Sequence, residues 1–359
     1  MKQKIKIGVL HGAIKNAGDF IIYERGKKLL EYLLDDNFDF TYKLRSEPID
    51  GDFDGLIILG GPLIGRKLHP QSKNIIEYLQ KRNRNIPIFC IGLGISGEKF
   101  DAYGDYFLDP ESFLFWKYVY NTSKLFSVRD KITYSVLKNY GIVAELTGCP
   151  ALFNLEILEK NNGLAKNKDI NKIAVTIPNL SSSPDFSSIK SFLLTLHFLL
   201  TLRGRFSRRE IELGLFFQHG YSSPTNKIMK KLANIIGIKA YDTSGKSLDA
   251  SELCKCDIHI GTRLHSHIYF LSLGKPSFLL SVDMRTEAFL KTIKTPNEKY
   301  TLLGVKKLVS MLGERVEKNN FDEFSVTFKE IKKFYEVMKT FLNKINAFYK
   351  ERNYEENKN

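Results

Sequence analysis

The sequence predicts an α/β protein of two halves, each built on its own parallel sheet, with a C-terminal helix packed on the body. Three observations lead there. Continuously apolar segments of strand length, DGLIIL at 54–59 and PIFCIGLG at 87–94, suit parallel strands buried on both faces. They alternate with longer stretches of helical period, and several end in glycine turns, where doubly wound sheets place their ligands. The alternation stops at a polar, Lys- and Asn-rich stretch, EILEKNNGLAKNKDIN at 156–171, and resumes beyond it. At 359 residues each half is large enough for its own core. The expected division is 1–160 and 172–310 for the halves, 311–350 for C-terminal helices and 351–359 for a solvated tail.

Lys4–His11 reads as the first strand. Its lysines resemble the start of a signal peptide, but the apolar run is short, is interrupted by His11 and precedes no small-residue cleavage site. Gly12–Gly18 is a loop in which Gly18 permits a tight turn, and Asp19 is expected to cap a helix reaching about Leu34. The apolar strand Asp54–Leu59 runs into Gly60-Gly61-Pro62, a tight turn where bare backbone can also approach a ligand. A helix follows at Pro70–Arg82, then a strand at Pro87–Gly94 with a glycine exit ending at Gly97. Neither glycine exit is a P-loop, because no Gly-Lys-Ser/Thr follows. Phe100–Asn121 is aromatic and holds the single tryptophan, Trp116, which is either a sugar-stacking face or, by default, part of a core helix. Leu125–Asp130 is a short strand ending in Arg129 and Asp130, which on a purely structural account are simply an exposed pair. A helix runs from Lys131 to Tyr140 and breaks at Gly141.

The second series starts with a strand at Lys172–Ile177, a Ser/Pro-rich loop to Ser188 and an apolar helix near 188–202. A strand at Glu210–Phe217 exits at Gln218-His219-Gly220, which places His219 at a strand end. A helix at 226–237 and a short strand at 238–241 lead to the stretch on which the chain is organised, Cys256–Asp283. It predicts a strand at 257–260, a helix from about Leu264 to Leu273 closed by Gly274, and a strand at 276–282. Arg263 and His265 stand at the start of that helix, where backbone N–H groups and the helix dipole favour an anion. A guanidinium adds a fixed fork for carboxylate or phosphate, and an imidazole moves protons near neutral pH. A plain helix cap is the alternative for both. Beyond Asp283 a less regular segment precedes helices at 303–313 and 322–349.

The formal net charge of +14 suits anionic partners: phosphorylated substrates, nucleotide-sugars or an acidic membrane surface. Lysine is scattered without a basic block or RNA-binding motif, so no nucleic-acid partner is expected. Four cysteines, including a lone Cys254-x-Cys256, make neither a disulfide framework nor a metal site. The most apolar helix contains Lys190 and His197 and is too short to span a bilayer. A cytoplasmic protein is expected, with the inner membrane face as an open alternative.

Several of these motifs occur together in one family. Asn16-Ala-Gly18-Asp19, Ser127-Val-Arg129-Asp130, Thr147-Gly-Cys-Pro150 and Gly-Thr-Arg263-Leu-His265, followed by Gly-Lys-Pro and Asp283, stand in matching order. From Asn16 to about Asp283 the chain resembles the polysaccharide pyruvyltransferases. The resemblance implies two Rossmann-like domains facing across a cleft, similar to the GT-B glycosyltransferases. It also implies transfer of a pyruvyl group from phosphoenolpyruvate to two hydroxyls of a sugar, as a cyclic ketal, in a cell-surface polysaccharide or its precursor. Phosphoenolpyruvate is then the donor substrate, with no cofactor and no metal. The acceptor is a nucleotide-sugar, a lipid-linked or a polymeric saccharide.

In that chemistry Arg129 and Arg263 would hold the donor's carboxylate and phosphate from opposite sides of the cleft. His265 would protonate the methylene carbon, and His219 or Asp19 would take the hydroxyl proton. Asn16, Gly18, Asp19, Gly60, Gly61 and Asp283 are the further candidates for donor or acceptor binding. Two positions depart from the family: Ser266 and His267 follow His265 where a small residue, often Gly, is common, and Met-Arg-Thr-Glu replaces a Lys-containing pattern after Asp283. The alternatives are a nucleotide-sugar-dependent glycosyltransferase, with Arg263 on the diphosphate, and a non-catalytic sugar-phosphate-binding protein on the same scaffold.

Overall fold

The computed structural model describes residues 4–14, 16–82, 85–96, 106–159, 170–181, 183, 185–207, 210–245, 248 and 251–356. The first half runs β1 (Ile5–His11), α1 (Ala17–Leu33), β2 (Phe38–Leu44), β3 (Gly55–Leu59), β4 (Pro62–Ile64) and α2 (Pro70–Arg82). It continues with β5 (Ile88–Ile95), α3 (Pro110–Ser123), β6 (Phe126–Val128), α4 (Lys131–Asn139), β7 (Glu145–Leu146) and α5 (Leu155–Glu159). The second half runs β8 (Lys172–Thr176), α6 (Phe186–Phe206), β9 (Glu212–Phe217), α7 (Pro224–Ile235), β10 (Lys239–Asp242) and β11 (Ile258–Gly261). It ends with α8 (Leu264–Ser272), β12 (Ser277–Ser281), α9 (Met284–Thr292), β13 (Asn297–Lys299), α10 (Leu302–Lys318) and α11 (Glu323–Glu356).

The strands form two separate parallel sheets, ordered β2-β1-β3-β5-β6-β7, with β4 beside β5, and β10-β9-β8-β11-β12-β13. The α/β class with two parallel sheets and a packed C-terminal helix is therefore as the sequence predicts. Successive side chains of a strand face opposite ways. In β3 that sends Ile57 and Leu59 to one core and Leu56 and Ile58 to another. The first of these cores continues without a break through the second sheet, from Ile7 and Phe89 to Val175, Phe278 and Phe341. The second, on the other face of the first sheet, takes in Met284 and Ala288 of α9. The halves are thus joined by buried apolar contact on both sides.

The 34-residue α11 lies across both halves. Near its start Phe324 packs on Phe278 and Thr327 Oγ1 donates to the Lys294 carbonyl at 2.7 Å. Near its end Tyr349 packs on Phe38 and Phe89 and donates to the Asp54 carbonyl at 3.3 Å.

Several expectations need correction. Asn16, not Asp19, caps α1: its Oδ1 accepts the Gly18 N–H at 3.1 Å, and Asp19 stands in the first turn. Strand β2 was not expected, although FDFTYKL alternates apolar and polar residues as a half-exposed edge strand does. The segment after Asp283 is not irregular. Asp283 and Thr286 form a reciprocal capping box that starts α9. Trp116, by contrast, is fully buried, the core residue that was its default reading. The helix α11 runs on to Glu356, so the first six residues assigned to a tail are helical. Residues 160–169 of the polar stretch, and Gly97, lie outside the described residues.

Candidate active site

The carboxyl ends of both sheets bring charged residues to one place. Arg129 follows β6, its backbone N–H held by the Leu93 carbonyl at 2.9 Å. Its buried guanidinium lies directly over Gly94, where any Cβ would collide with it. Its Nε is 3.3 Å from Asp130 Oδ2, while Asp130 Oδ1 caps α4 by accepting from Thr133 N at 2.7 Å. Asp130 therefore neutralises Arg129 only in part.

Arg263, the residue before α8, offers no side-chain cap to that helix. It turns instead to the loop after β8, donating from Nε to the Ile177 carbonyl at 2.8 Å and from Nη2 to Asn179. Its backbone N–H points to Thr176 Oγ1 at 3.3 Å. Burial, with Arg285 nearby, pulls its pKa down to about 10.

His265 lies in the first turn of α8, and its ring rests on the bare Cα of Gly18 in α1. Its Nε2 is shielded from solvent and has no hydrogen-bond partner among the described residues. Burial first, then the charges of Arg129, Arg285 and Arg263, push its pKa down to about 3, so the ring is neutral. Half-buried Asp19 is moved the opposite way: burial raises its pKa, against the opposing pull of Arg45, Arg129 and Arg285 and a hydrogen bond with Asn16. An imidazole and a carboxylate thus sit among arginines drawn from both sheets, each held by its surroundings toward its uncharged form.

The other expected residues fall in different places. Gly60 and Gly61 adopt left-handed backbone, φ 56° and 88°, and the Gly60 carbonyl accepts from Arg45 Nη1 at 2.7 Å. Asp283 is committed to its capping box and to Arg285, whose Nε it accepts at 3.0 Å. His219 is exposed, and it is its neighbour Gln218 that reaches Ser266 behind the His265 turn.

His267, two residues from His265, is fully buried in a polar chain. Thr176 Oγ1 meets His259 Nε2 at 2.8 Å, and His259 Nδ1 meets Ser277 Oγ at 2.7 Å. Ser277 Oγ meets His267 Nδ1 at 2.7 Å, and His267 Nε2 meets Thr295 Oγ1 at 3.1 Å. Thr176 Oγ1 also accepts the Arg263 N–H, which leaves its own proton free to go to His259. With protons pointing from Thr176 toward Thr295, every donor in the chain finds an acceptor. This is an internal brace for the Arg263 turn.

Sequence reasoning missed two arginines. Arg285 lies in the first turn of α9 and acts on Asp19, Arg263 and His265. The available signal was Asp283-x-x-Thr286, a helix start that would have placed Arg285 at a strand end. Arg45 directly follows β2, and nothing in its neighbourhood marks it as special. Among the described residues no three His, Cys, Asp or Glu side chains gather as a metal site requires, and no helix is long and apolar enough to cross a membrane.

The family description polysaccharide pyruvyl transferase matches residues 16–284. No curated protein sequence matches the chain at a significant level. Among solved structures, S. aureus MnaA with UDP is similar at TM-score 0.58 and 14% identity, over 96% of this chain and 97% of that one. The UDP-GlcNAc 2-epimerase of Neisseria meningitidis bound to UDP-GlcNAc is similar at TM-score 0.58 and 11% identity, over 95% and 99%. That of Methanocaldococcus jannaschii gives 0.55 and 12%, over 93% and 99%. At such identities the likeness concerns the fold, which is that of two α/β sheets facing one another.

Proposed function

The chain belongs to the polysaccharide pyruvyl transferase family, and from that premise we propose that it transfers the enolpyruvyl carbons of phosphoenolpyruvate to two hydroxyls of a saccharide as a cyclic ketal. The observation that carries this reading is the convergence of Arg129, Arg263 and Arg285 on the neutral ring of His265. Phosphoenolpyruvate carries a carboxylate and a phosphate on one carbon, and guanidiniums suit both.

Burial, and after it the arginines, keep His265 unprotonated. A bound donor brings the opposite charge and offsets the arginines, which raises the pKa of His265, and in this scheme the ring takes up a proton with its substrate. It passes that proton to the methylene carbon, making a methyl group and leaving cationic character on the adjacent carbon. A saccharide hydroxyl attacks there and gives up its proton to Asp19, whose raised pKa suits a base. Attack by the second hydroxyl on the same carbon expels phosphate. Of the two hydroxyl protons, one replaces that taken from His265 and the other leaves with phosphate.

The acceptor is a nucleotide-linked, lipid-linked or polymeric saccharide, and the protein works in the cytoplasm, where phosphoenolpyruvate is formed. The test is release of inorganic phosphate from phosphoenolpyruvate that depends on an added saccharide, with the ketal methyl group followed by NMR. Donor binding with no phosphate release on any saccharide, alongside turnover of a nucleotide-sugar, would replace this reading by glycosyl transfer.

A further inference from the structure

Arg45 has no role in the scheme above, yet it is one of the most deeply buried charges in the protein. It is 5% exposed, and among the described residues its guanidinium makes one hydrogen bond, from Nη1 to the Gly60 carbonyl. Its Nε has no acceptor among the described residues. A buried guanidinium without a bonded anion is costly, and such groups normally have a partner.

Its surroundings are those of an anion site. From the end of β2 the side chain reaches across the exits of the neighbouring strands β1 and β3. It fills the space that a Cβ on Gly12 would need, and it stands 2.9 Å from where one on Gly61 would lie. Both turns are bare so that a cation can lie at the carboxyl edge of the sheet. Two imidazoles lie within range of its charge. His11 is pushed down to about 4, by burial and then by Arg45, and His69 is lowered for the same reasons. Each accepts a backbone N–H at Nδ1, from Ala13 at 3.3 Å and Gln71 at 3.2 Å, and so keeps its proton on Nε2 as a donor.

Arg45 is also set apart from the donor-binding group. The charges that act on His265 are Arg129, Arg285 and Arg263, whereas those that act on Asp19 are Arg45, Arg129 and Arg285. Asp19 therefore feels Arg45 together with two of the arginines that act on His265, and it is the carboxylate that acts on Arg45 in return.

We propose that Arg45, with the Gly12 and Gly60-Gly61 turns, forms a second anion subsite that takes the phosphate of a phosphorylated saccharide, so that the acceptor is a sugar phosphate or diphosphate rather than a neutral glycan. This rests on the pyruvyl-transfer reading for the word acceptor, and on the geometry alone for the subsite. A phosphate offers more acceptor oxygens than a carboxylate and more charge to offset a buried guanidinium. With its phosphate on Arg45, the sugar ring would be directed toward Asp19.

The test is titration calorimetry on the full chain and on Arg45→Met, with phosphoenolpyruvate, inorganic diphosphate, UDP-GlcNAc and neutral N-acetylglucosamine as probes. The expected result is that Arg45→Met weakens diphosphate and UDP-GlcNAc at least tenfold and leaves phosphoenolpyruvate within twofold. Neutral N-acetylglucosamine should bind both proteins equally weakly. Tight diphosphate binding without added affinity for UDP-GlcNAc would assign the subsite to a phosphate not linked to a nucleotide, in line with the proposal.

Equal affinity of the two proteins for every phosphorylated probe, no binding of any of them by the wild type, or an equal loss for phosphoenolpyruvate would overturn it. If Arg45→Met does not fold, Arg45→Lys keeps the charge without the fork and should show a smaller loss confined to the same probes. An unchanged profile in that variant also overturns the proposal. A wild type that binds UDP-GlcNAc through Arg45 but never releases phosphate from phosphoenolpyruvate refutes pyruvyl transfer and leaves the subsite standing.

Discussion

The ring of His265 rests on the Cα of Gly18, so closely that a methyl group at position 18 would overlap its Nδ1. Gly18 belongs to α1 of the first half and His265 to α8 of the second. One contact thus fixes the imidazole relative to both sheets. The glycine is there for what approaches it, since its own backbone is ordinary helix.

Gly18→Ala should therefore displace the imidazole without disturbing α1, in which alanine is the better helix former. Turnover is expected to fall by about a hundredfold, the effect of misplacing a reacting group by roughly an ångström. Donor affinity should change little, because the arginines remain. Wild-type turnover in Gly18→Ala would show that the ring position is unimportant.

His265→Gln should retain donor binding and lose turnover by roughly a hundred- to ten-thousandfold, as for removal of a general acid. Arg285→Ala should behave in the converse way. It loses one charge-assisted contact, worth about 1.5–3 kcal/mol, or roughly ten- to a hundredfold in donor affinity. Arg285 is the cleaner choice than Arg263, which also braces the loop at Ile177 and Asn179. Calorimetry and single-turnover rates on the two variants separate the roles, and a swap of the two phenotypes would reverse the assignment.

Donor binding should take up a proton. His265 is held down to about 3 by burial and then by Arg129, Arg285 and Arg263, and a bound anion opposes those arginines. Its pKa then rises, so protons are absorbed on binding at every pH between the two values, and affinity increases as pH falls through that window. Calorimetry in buffers of different ionisation enthalpy measures the uptake directly. Uptake that persists unchanged in His265→Gln would place the proton elsewhere.

The fold should be labile to acid from about pH 6.5 downward. His11 is lowered to about 4, His259 and His265 to about 3, and His267 lies well below its usual value, burial being the leading cause for each. Each is neutral when folded and free to charge when unfolded, so its contribution is complete above the unfolded pKa near 6.5. That contribution is lost progressively as pH falls toward the folded values. Thermal unfolding monitored from pH 8 to 4 should show a plateau and then a steady decline. Ser277→Ala, which removes the hydroxyl shared by His259 and His267, should lower stability at neutral pH by about 1–3 kcal/mol. A Tm independent of pH across this range would contradict the buried neutral rings.

What was legible in the sequence follows from how each residue is presented. Arg129 directly follows an apolar strand, and Arg263 and His265 stand on the turn and first helical residues after another. A strand end in a parallel sheet already predicts a direction. Arg45 also follows a strand whose apolar Phe38, Phe40, Tyr42 and Leu44 alternate with polar residues, but this half-exposed edge lacks the continuous apolar run and the glycine exit that mark several of the other strand ends. Arg285 was hidden because α9 starts on a capping box that looks like irregular polar chain. The distinction between His265 and His267 is one of azimuth around α8. Only the fold shows that Gly18 leaves room for one, while Ser277 and Thr295 take the other into the core.

The helix α11 has a mechanical consequence. At 1.5 Å per residue its 34 residues make a rod of about 50 Å. It is fastened to the second half by Phe324 and Thr327, and to the first by Lys344 on Glu145 and Tyr349 on Asp54. A rod fixed at both ends acts as a splint. Any rotation of one sheet against the other must bend it, slide it along one seat or peel one end away. The stiffness of the cleft is therefore set about as much by the last thirty or so residues as by the loops that line it, and loosening the Tyr349 end would alter how the halves yield without touching a single residue of the site.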